Sequence, residues 1–308
     1  MYVFYISGGR PGPAPNVSVQ PVDKCPPKII IYDLNAMKIV HRYVFPTTVI
    51  GPGLFYLNDV VLSFVDGKAR YAFISDTLGY KLVVYDYEED TSFTYSHSNM
   101  QAKTQYTSIT IGNTTLPGVI TGINGIAMSP DYKYLYYSSV AGVGLQQIET
   151  SVVTSAKGDE AQFAAAVRTI GEKTAQGDGM VLSENHNLYY SALGPNAIYK
   201  WEANKDLSSD GDFGKIRLVN HAELISDVKM EWVDTLAIAD DGYLWFTTSR
   251  LHKFFSTNGV VNEPNFFVWR LNIGERSYMA TTGPVQGVPS MSCSIFSILI
   301  CILAIFVC

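Results

Sequence analysis

The sequence is poor in charge and poor in cysteine. Only 16% of its 308 residues are Asp, Glu, Lys or Arg, the net charge is −6, and no basic block occurs. A surface without clustered Lys and Arg has nothing to track a phosphate backbone, which speaks against nucleic acid as a partner. Acidic residues are scattered, the pattern of a solvated surface rather than an acidic tail. The four cysteines are Cys25, Cys293, Cys301 and Cys308. No pair has zinc spacing, and three lie in an apolar tail. Cys25 reads either as a plain buried thiol or as half of a disulfide whose other half is not in this chain. The histidines His41, His97, His186, His221 and His252 are dispersed, with no pair at metal spacing. Gly-x-Ser-x-Gly, His-Glu-x-x-His and the phosphate loop are all missing. The reading therefore assigns no metal and no cofactor, and leaves open whether the protein is an enzyme.

What is present is apolar and aromatic. Hydrophobic residues make up 47% of the chain, enough for a sizeable core, and 20 residues are Tyr, which suits strands that are wet on one side. An apolar triplet leads into Ser or Thr five times, ending at Ser7, Ser75, Ser138, Ser191 and Thr247, with spacings of 68, 63, 53 and 56 residues. Four of these units contain a polar turn: Asp66-Gly67, Pro130-Asp131, Asn185-His186-Asn187 and Asp241-Gly242. Further strands follow at Ile29 to Asp33, Leu82 to Tyr87 and Ile198 to Trp201. A strand–turn–strand–loop–strand unit at this period predicts an all-β propeller with blades of about four strands. The single helical pattern, Asp159 to Val167, reads as an insertion between blades.

Both ends are unusual. Met1 to Ile6 is apolar, too short for a signal peptide and without a basic n-region, so it reads as a strand that starts abruptly. The first unit has no upstream strand, and the expectation is that the true N-terminus and first blade are missing. No charge follows Arg276, and Ile295 to Cys308 is apolar except for Ser297. That run is shorter than the roughly 20 residues a membrane span needs. It reads as a lipid-anchor signal behind Ala280, Thr281, Thr282 and Gly283, as a short membrane helix, or as an error in the chain's end. The propeller is thus assigned to 1–280, and 281–308 is an uncharged linker with a hydrophobic tail. Membrane attachment would run through that tail. Asn16 and Asn113 open glycosylation sequons.

Innermost strands of a propeller line a central channel, and the loops before them form one mouth. The candidate channel residues are Asn58, Asp59, Thr121, Asn124, Asp178, Trp232 and Asp234. Each unit places Asn or Asp at the same step, which predicts polar groups converging from separate blades. The equally weighted alternative is that these residues only cap backbone amides. Asn265 and Phe267, in a polar loop entering an aromatic strand, are candidates for stacking on a flat ring or an ammonium. Core packing is the alternative role there. The stretch Ser249 to Lys253 reads as a rim loop.

With these residues in view, the chain resembles the insect yellow / major royal jelly protein family from about Ser7 to Met279. The carrying segments are Cys25 to Leu34, Phe73 to Asp76, Tyr85-Asp86, Thr121 to Pro130, Gln176 to Gly179, Tyr190-Ser191 and Trp201. The resemblance implies a secreted six-bladed propeller. It also implies roles in cuticle pigmentation, in dopachrome conversion in some members, and in biogenic amine capture in some salivary members. The family's signal peptide, its first blade and the upstream cysteines that would pair with Cys25 are missing from this sequence. The leading expectation is an extracellular propeller that binds a small aromatic amine or a catechol or indole derivative in pigment chemistry. A dopachrome isomerase using Asp59, Asp178 or Asp234 is the first alternative. A calcium-dependent propeller hydrolase is the second, since Asn124 to Asp131 is similar to lactonase propellers. Its oxygen donors would be Asn58, Asn124, Asp178 and Asp234. A structural or nutritive role stands beside these.

Overall fold

Short alternating segments separated by turns that need left-handed backbone give antiparallel hairpins along the whole chain. At the four expected turns, Asp66 and Gly67 (φ 50° and 72°), Tyr132 (58°), His186 (58°) and Gly242 (86°) occupy that region. The computed structural model describes residues 2–7, 9–10, 26–256 and 262–281. Asn16, Cys25 and the tail from 282 onward lie outside them.

The first sheet orders β1 (Tyr2–Ser7), β3 (Lys28–Asp33) and β4 (Lys38–Val44). The second orders β2 (Gly9–Arg10), β5 (Phe55–Val65), β6 (Lys68–Asp76), β7 (Lys81–Asp86) and β8 (Thr91–Ser96). A hairpin, β9 (Ile109–Ile111) with β10 (Thr114–Leu116), follows. The next sheet is β11 (Ile123–Met128), β12 (Tyr134–Ser139), β13 (Gly144–Glu149) and β14 (Arg168–Glu172). After it come β15 (Met180–Leu182), β16 (Asn187–Ala192), β17 (Ala197–Glu202) and β18 (His221–Ser226). The last is β19 (Val233–Ile238), β20 (Tyr243–Ser249) and β21 (Phe266–Asn272).

Each sheet other than the hairpin runs up and down in sequence order, and the inner strands β5, β11, β15 and β19 lie beside one another in turn. This is a β-propeller, as the repeat predicts. Five of the six sheets are blades. In the first, β1 carries the apolar triplet found on the second strands β6, β12, β16 and β20. No strand lies inside β1 among the described residues.

The core is not one mass but a series of layers between blades. Phe73, Leu82 and Tyr95 meet Ile126, Leu135 and Tyr137. Tyr136 and Leu145 meet Tyr190 and Trp201, and Tyr189 and Ile198 meet Leu236 and Phe246. Strands buried on both faces carry apolar runs rather than strict alternation, as in β12 with Leu135, Tyr136 and Tyr137 all buried.

The predicted helix forms as α2 (Glu160–Ala166), preceded by α1 (Thr150–Ala156). Asp159 caps α2 by accepting from the amides of Ala161 and Gln162. The insertion lies within a blade, joining β13 to β14, and not between blades. α1 is rich in β-branched residues and poor in helix propensity. Packing holds it instead: Val153 is buried, and its carbonyl accepts from Tyr95 Oη at 2.6 Å. Tyr95 in turn stacks on Phe163 at 4.7 Å.

The two ends of the axis are both crossed by chain. Ile109 and Ile111 of the hairpin pack with Val119, Leu193 and Trp232 over one end. At the other, Ser277 bridges Ser183, Arg276 forks onto Glu184, and Tyr278 Oη accepts from Leu62 N at 3.1 Å. That segment ties the last blade back to β5.

Candidate functional site

The site begins with an irregularity repeated in the inner strands. Register shifts between Leu57 and Val60, Ile123 and Ile126, and Val233 and Leu236. Such bulges turn side chains toward a new direction. Here they place Asn58, Asn124 and Asp234 at equivalent steps, and Asp178 stands at the same step ahead of β15. The Ser or Thr closing each apolar triplet holds this geometry. Ser75 Oγ accepts from Asp59 N at 3.0 Å, Ser191 Oγ from Asp178 N at 2.7 Å, and Thr247 Oγ1 from Thr235 N at 3.3 Å. Ser138 departs from the pattern and donates to the Gly144 carbonyl at 3.0 Å.

Glycine lets the blades approach. A Cβ on Gly125 would run into the Asp178 carbonyl oxygen, and one on Gly179 into that of Asp234. The result is a linked set. Asn58 Nδ2 donates to Asn124 Oδ1 at 2.6 Å, Asn124 Nδ2 donates to Asp178 Oδ1, and Trp232 Nε1 donates to Asp178 Oδ2 at 2.7 Å. Asp59 accepts from Val60 N at 2.9 Å and from Ile126 N at 3.3 Å. Asn124 and Asp178 are buried, whereas Asn58, Asp59 and Asp234 are half-buried on the channel wall.

Three carboxyls packed among the blades at this centre hold their protons tightly. Burial lifts Asp59 to about 7, against the pull of its two backbone donors. Burial lifts Asp234 to about 6. Asp178 rises well above the usual carboxylate range through burial, helped by the charge of Asp234, while the Trp232 donor works the other way. Among the described residues no group of three His, Cys, Asp or Glu side chains is placed to share a metal ion. Asn58, Asn124 and Asp178 bond to one another.

The structure therefore brings together Asn58, Asp59, Asn124, Asp178, Trp232 and Asp234. Thr121 precedes Asn124 by three residues, and its carbonyl accepts from Ala141 N at 2.9 Å. Asn265 and Phe267 do not join the set. Phe267 lies on β21, two strands out from β19, where its ring meets the Arg250 guanidinium at 5.8 Å and Trp269 at 6.3 Å. Asn113 is exposed in the β9–β10 turn. The expected rim loop at 249–253 is the end of β20 followed by α3 (Leu251–Ser256), and His252 is fully buried. Its ring lies parallel to Trp232 at 6.4 Å, and neither ring nitrogen has a hydrogen-bond partner among the described residues.

Residues that sequence reasoning missed are Lys173, His252 and the bulge-holding role of Ser75, Ser191 and Thr247. For the hydroxyls a signal existed, their fixed place after each triplet. For Lys173 and His252 no local pattern marks burial.

Comparison with known proteins gives a family match over residues 15–280, to the family described as major royal jelly protein. Major royal jelly protein 9 of Apis mellifera is 23% identical over 79% of this chain and 58% of its own length. Protein yellow of Drosophila erecta is 22% identical over 80% of this chain and 45% of its own. The chain spans about half the length of the curated relatives it matches. Among solved structures, a nidogen/laminin complex aligns with a TM-score of 0.48 at 11% identity, covering 81% of this chain and 71% of that one. A virginiamycin B lyase of Staphylococcus aureus aligns with a TM-score of 0.44 at 11% identity, covering 88% and 75%.

Proposed function

The chain belongs to the major royal jelly protein family, and from that premise we propose that it is an extracellular propeller whose axial site binds the ammonium group of a small aromatic amine. One observation carries this reading: Asp59, Asp178 and Asp234 converge from three blades, and no Lys or Arg side chain among the described residues bonds to them. Carboxyls that burial keeps protonated become good acceptors once a positive charge arrives. An ammonium supplies that charge and donates up to three hydrogen bonds. Asn58 and Asn124 offer amide groups for a hydroxyl, and Trp232 stands beside Asp178 as an aromatic wall. A catechol or indole amine combines these features, and pigment chemistry is where such amines are used. Calorimetric titration of the purified protein with dopamine and serotonin tests the reading. Saturable heat is expected with both, and no heat with either overturns it.

A second reading has its own support. Asp59 at about 7 and Asp234 at about 6 lie where a carboxyl can both take and give a proton near neutrality. Dopachrome isomerisation needs such a group beside the substrate. If a variant with all three aspartates changed to asparagine converted dopachrome at the rate of the unaltered protein, this reading would be wrong.

A further inference from the structure

A cavity lies beneath the β9–β10 hairpin, at the tips of the two four-stranded blades that begin with β11 and β15. Its volume is about 350 Å³, and Tyr106, Ile109, Val143, Lys173, Gln176 and Gly194 form part of its wall. This is the size range of small-molecule sites. The rim residues Glu172 and Thr174 are exposed, while Lys173 behind them is only 4% exposed. Gln176 Nε2 donates to the Tyr106 carbonyl at 2.6 Å and fixes one side.

Lys173 is unlike the other lysines. Lys200, Lys205, Lys215 and Lys253 sit in ion pairs with Glu275, Glu202, Asp210 and Glu231. The Lys173 side chain is almost wholly buried, and its amine makes no ion pair or hydrogen bond among the described residues. It lies over the Tyr190 ring at 5.9 Å and beside Gly177, where a Cβ would come to 3.0 Å of Nζ. An ammonium without an acceptor is costly to bury, and the neutral amine is favoured there. Burial accordingly pulls Lys173 down to about 8, although the charge of Asp178 works to raise it.

We propose that Lys173 is a carbonyl-reactive amine, and that this cavity admits a small aldehyde which condenses with it to a reversible imine. The Nζ lone pair attacks the carbonyl carbon, and the carbonyl π electrons move to oxygen, which takes a proton. The carbon–oxygen bond then breaks and a carbon–nitrogen double bond forms. The oxygen leaves as one water with the two hydrogens lost from the neutral amine, and nothing is oxidised or reduced. The apolar walls from Ile109 and Val143 and the ring of Tyr106 favour an aldehyde on an aromatic or branched carbon skeleton. The inference does not rest on amine binding at the axis, and each can fail without the other.

The test is reductive trapping on the intact protein. Phenylacetaldehyde is added at pH 7 in limiting amount with sodium cyanoborohydride, and modified lysines are mapped by peptide mass spectrometry. With its amine pulled down to about 8, Lys173 offers far more neutral amine at pH 7 than the ordinary lysine value of about 10.4 would allow, so folding should speed its labelling at least about tenfold and carry it ahead of the exposed Lys157 and Lys229. Its rate should level off above about pH 8. In urea the preference should vanish. Lys173 labelled no faster than Lys157, or equally fast in folded and unfolded protein, overturns the proposal.

Discussion

The indole N–H of Trp232 donates to Asp178 Oδ2 at 2.7 Å, joining the mouth of the last blade to the polar centre of its neighbour. Trp232 adopts φ 44°, an uncommon backbone region for a bulky side chain, and is buried against the hairpin. Trp232→Phe keeps a ring in that place and removes the donor. Leaving a buried carboxyl oxygen without it should lower stability by about 1–3 kcal/mol. Urea unfolding followed by circular dichroism measures this, and a loss below about 0.5 kcal/mol would contradict the assigned role.

The hydroxyl after each apolar triplet holds a bulge. Ser191→Ala orphans the Asp178 amide, which sits in a buried environment, and should also cost about 1–3 kcal/mol. Thr247→Val should cost less, because its bond to Thr235 N is longer at 3.3 Å and that residue is half-buried. Chemical denaturation of the two variants side by side checks the order.

Close approach of blades predicts an asymmetry among glycines. Gly179→Ala would press a methyl onto the Asp234 carbonyl and should destabilise by about 1–3 kcal/mol. Gly53→Ala has nothing within 4 Å of the new methyl and should be nearly neutral. Thermal unfolding of both variants separates a packing constraint from a general effect of removing glycine.

The raised carboxyls fix the sign of a pH effect. Asp59, near 3.9 when unfolded, rises to about 7 in the fold, so between those values the native state holds the extra proton. Its contribution to stability is fully present below the unfolded value and is lost as pH rises through about 7. Without ligand, the unaltered protein should therefore lose more stability than Asp59→Asn between about pH 4 and pH 7.5, from near the unfolded value to just past the folded one. Amine affinity should run the other way and strengthen with pH as the carboxylates form. Melting curves and titrations at the two ends of the interval show whether the slopes oppose.

Much of this was legible before any coordinates. Recurrence of Ser75, Ser138, Ser191 and Thr247 behind apolar triplets marked second strands, and Asn58, Asn124, Asp178 and Asp234 stood at one step because bulges recur at one place. Other features rest on contacts distant in sequence. His252 looked like a rim residue because its burial depends on Trp232 and on α3, not on its neighbours. Phe267 looked like a ring for the site because an aromatic strand does not announce its position within a blade. Lys173 carried no signal, since its lost partner is a property of packing. The β-branched helix α1 defied propensity because Tyr95 and Phe163 anchor the insertion from outside.

The most direct test of the axial site is proton release on amine binding. Dopamine is titrated by calorimetry at pH 6 in two buffers of different ionisation enthalpy. If an ammonium ionises one of the two protonated carboxyls, Asp59 or Asp178, about one proton should leave per ligand and the two heats should differ accordingly. Identical heats in both buffers, with binding present, would show that the buried carboxyls are not what receives the amine.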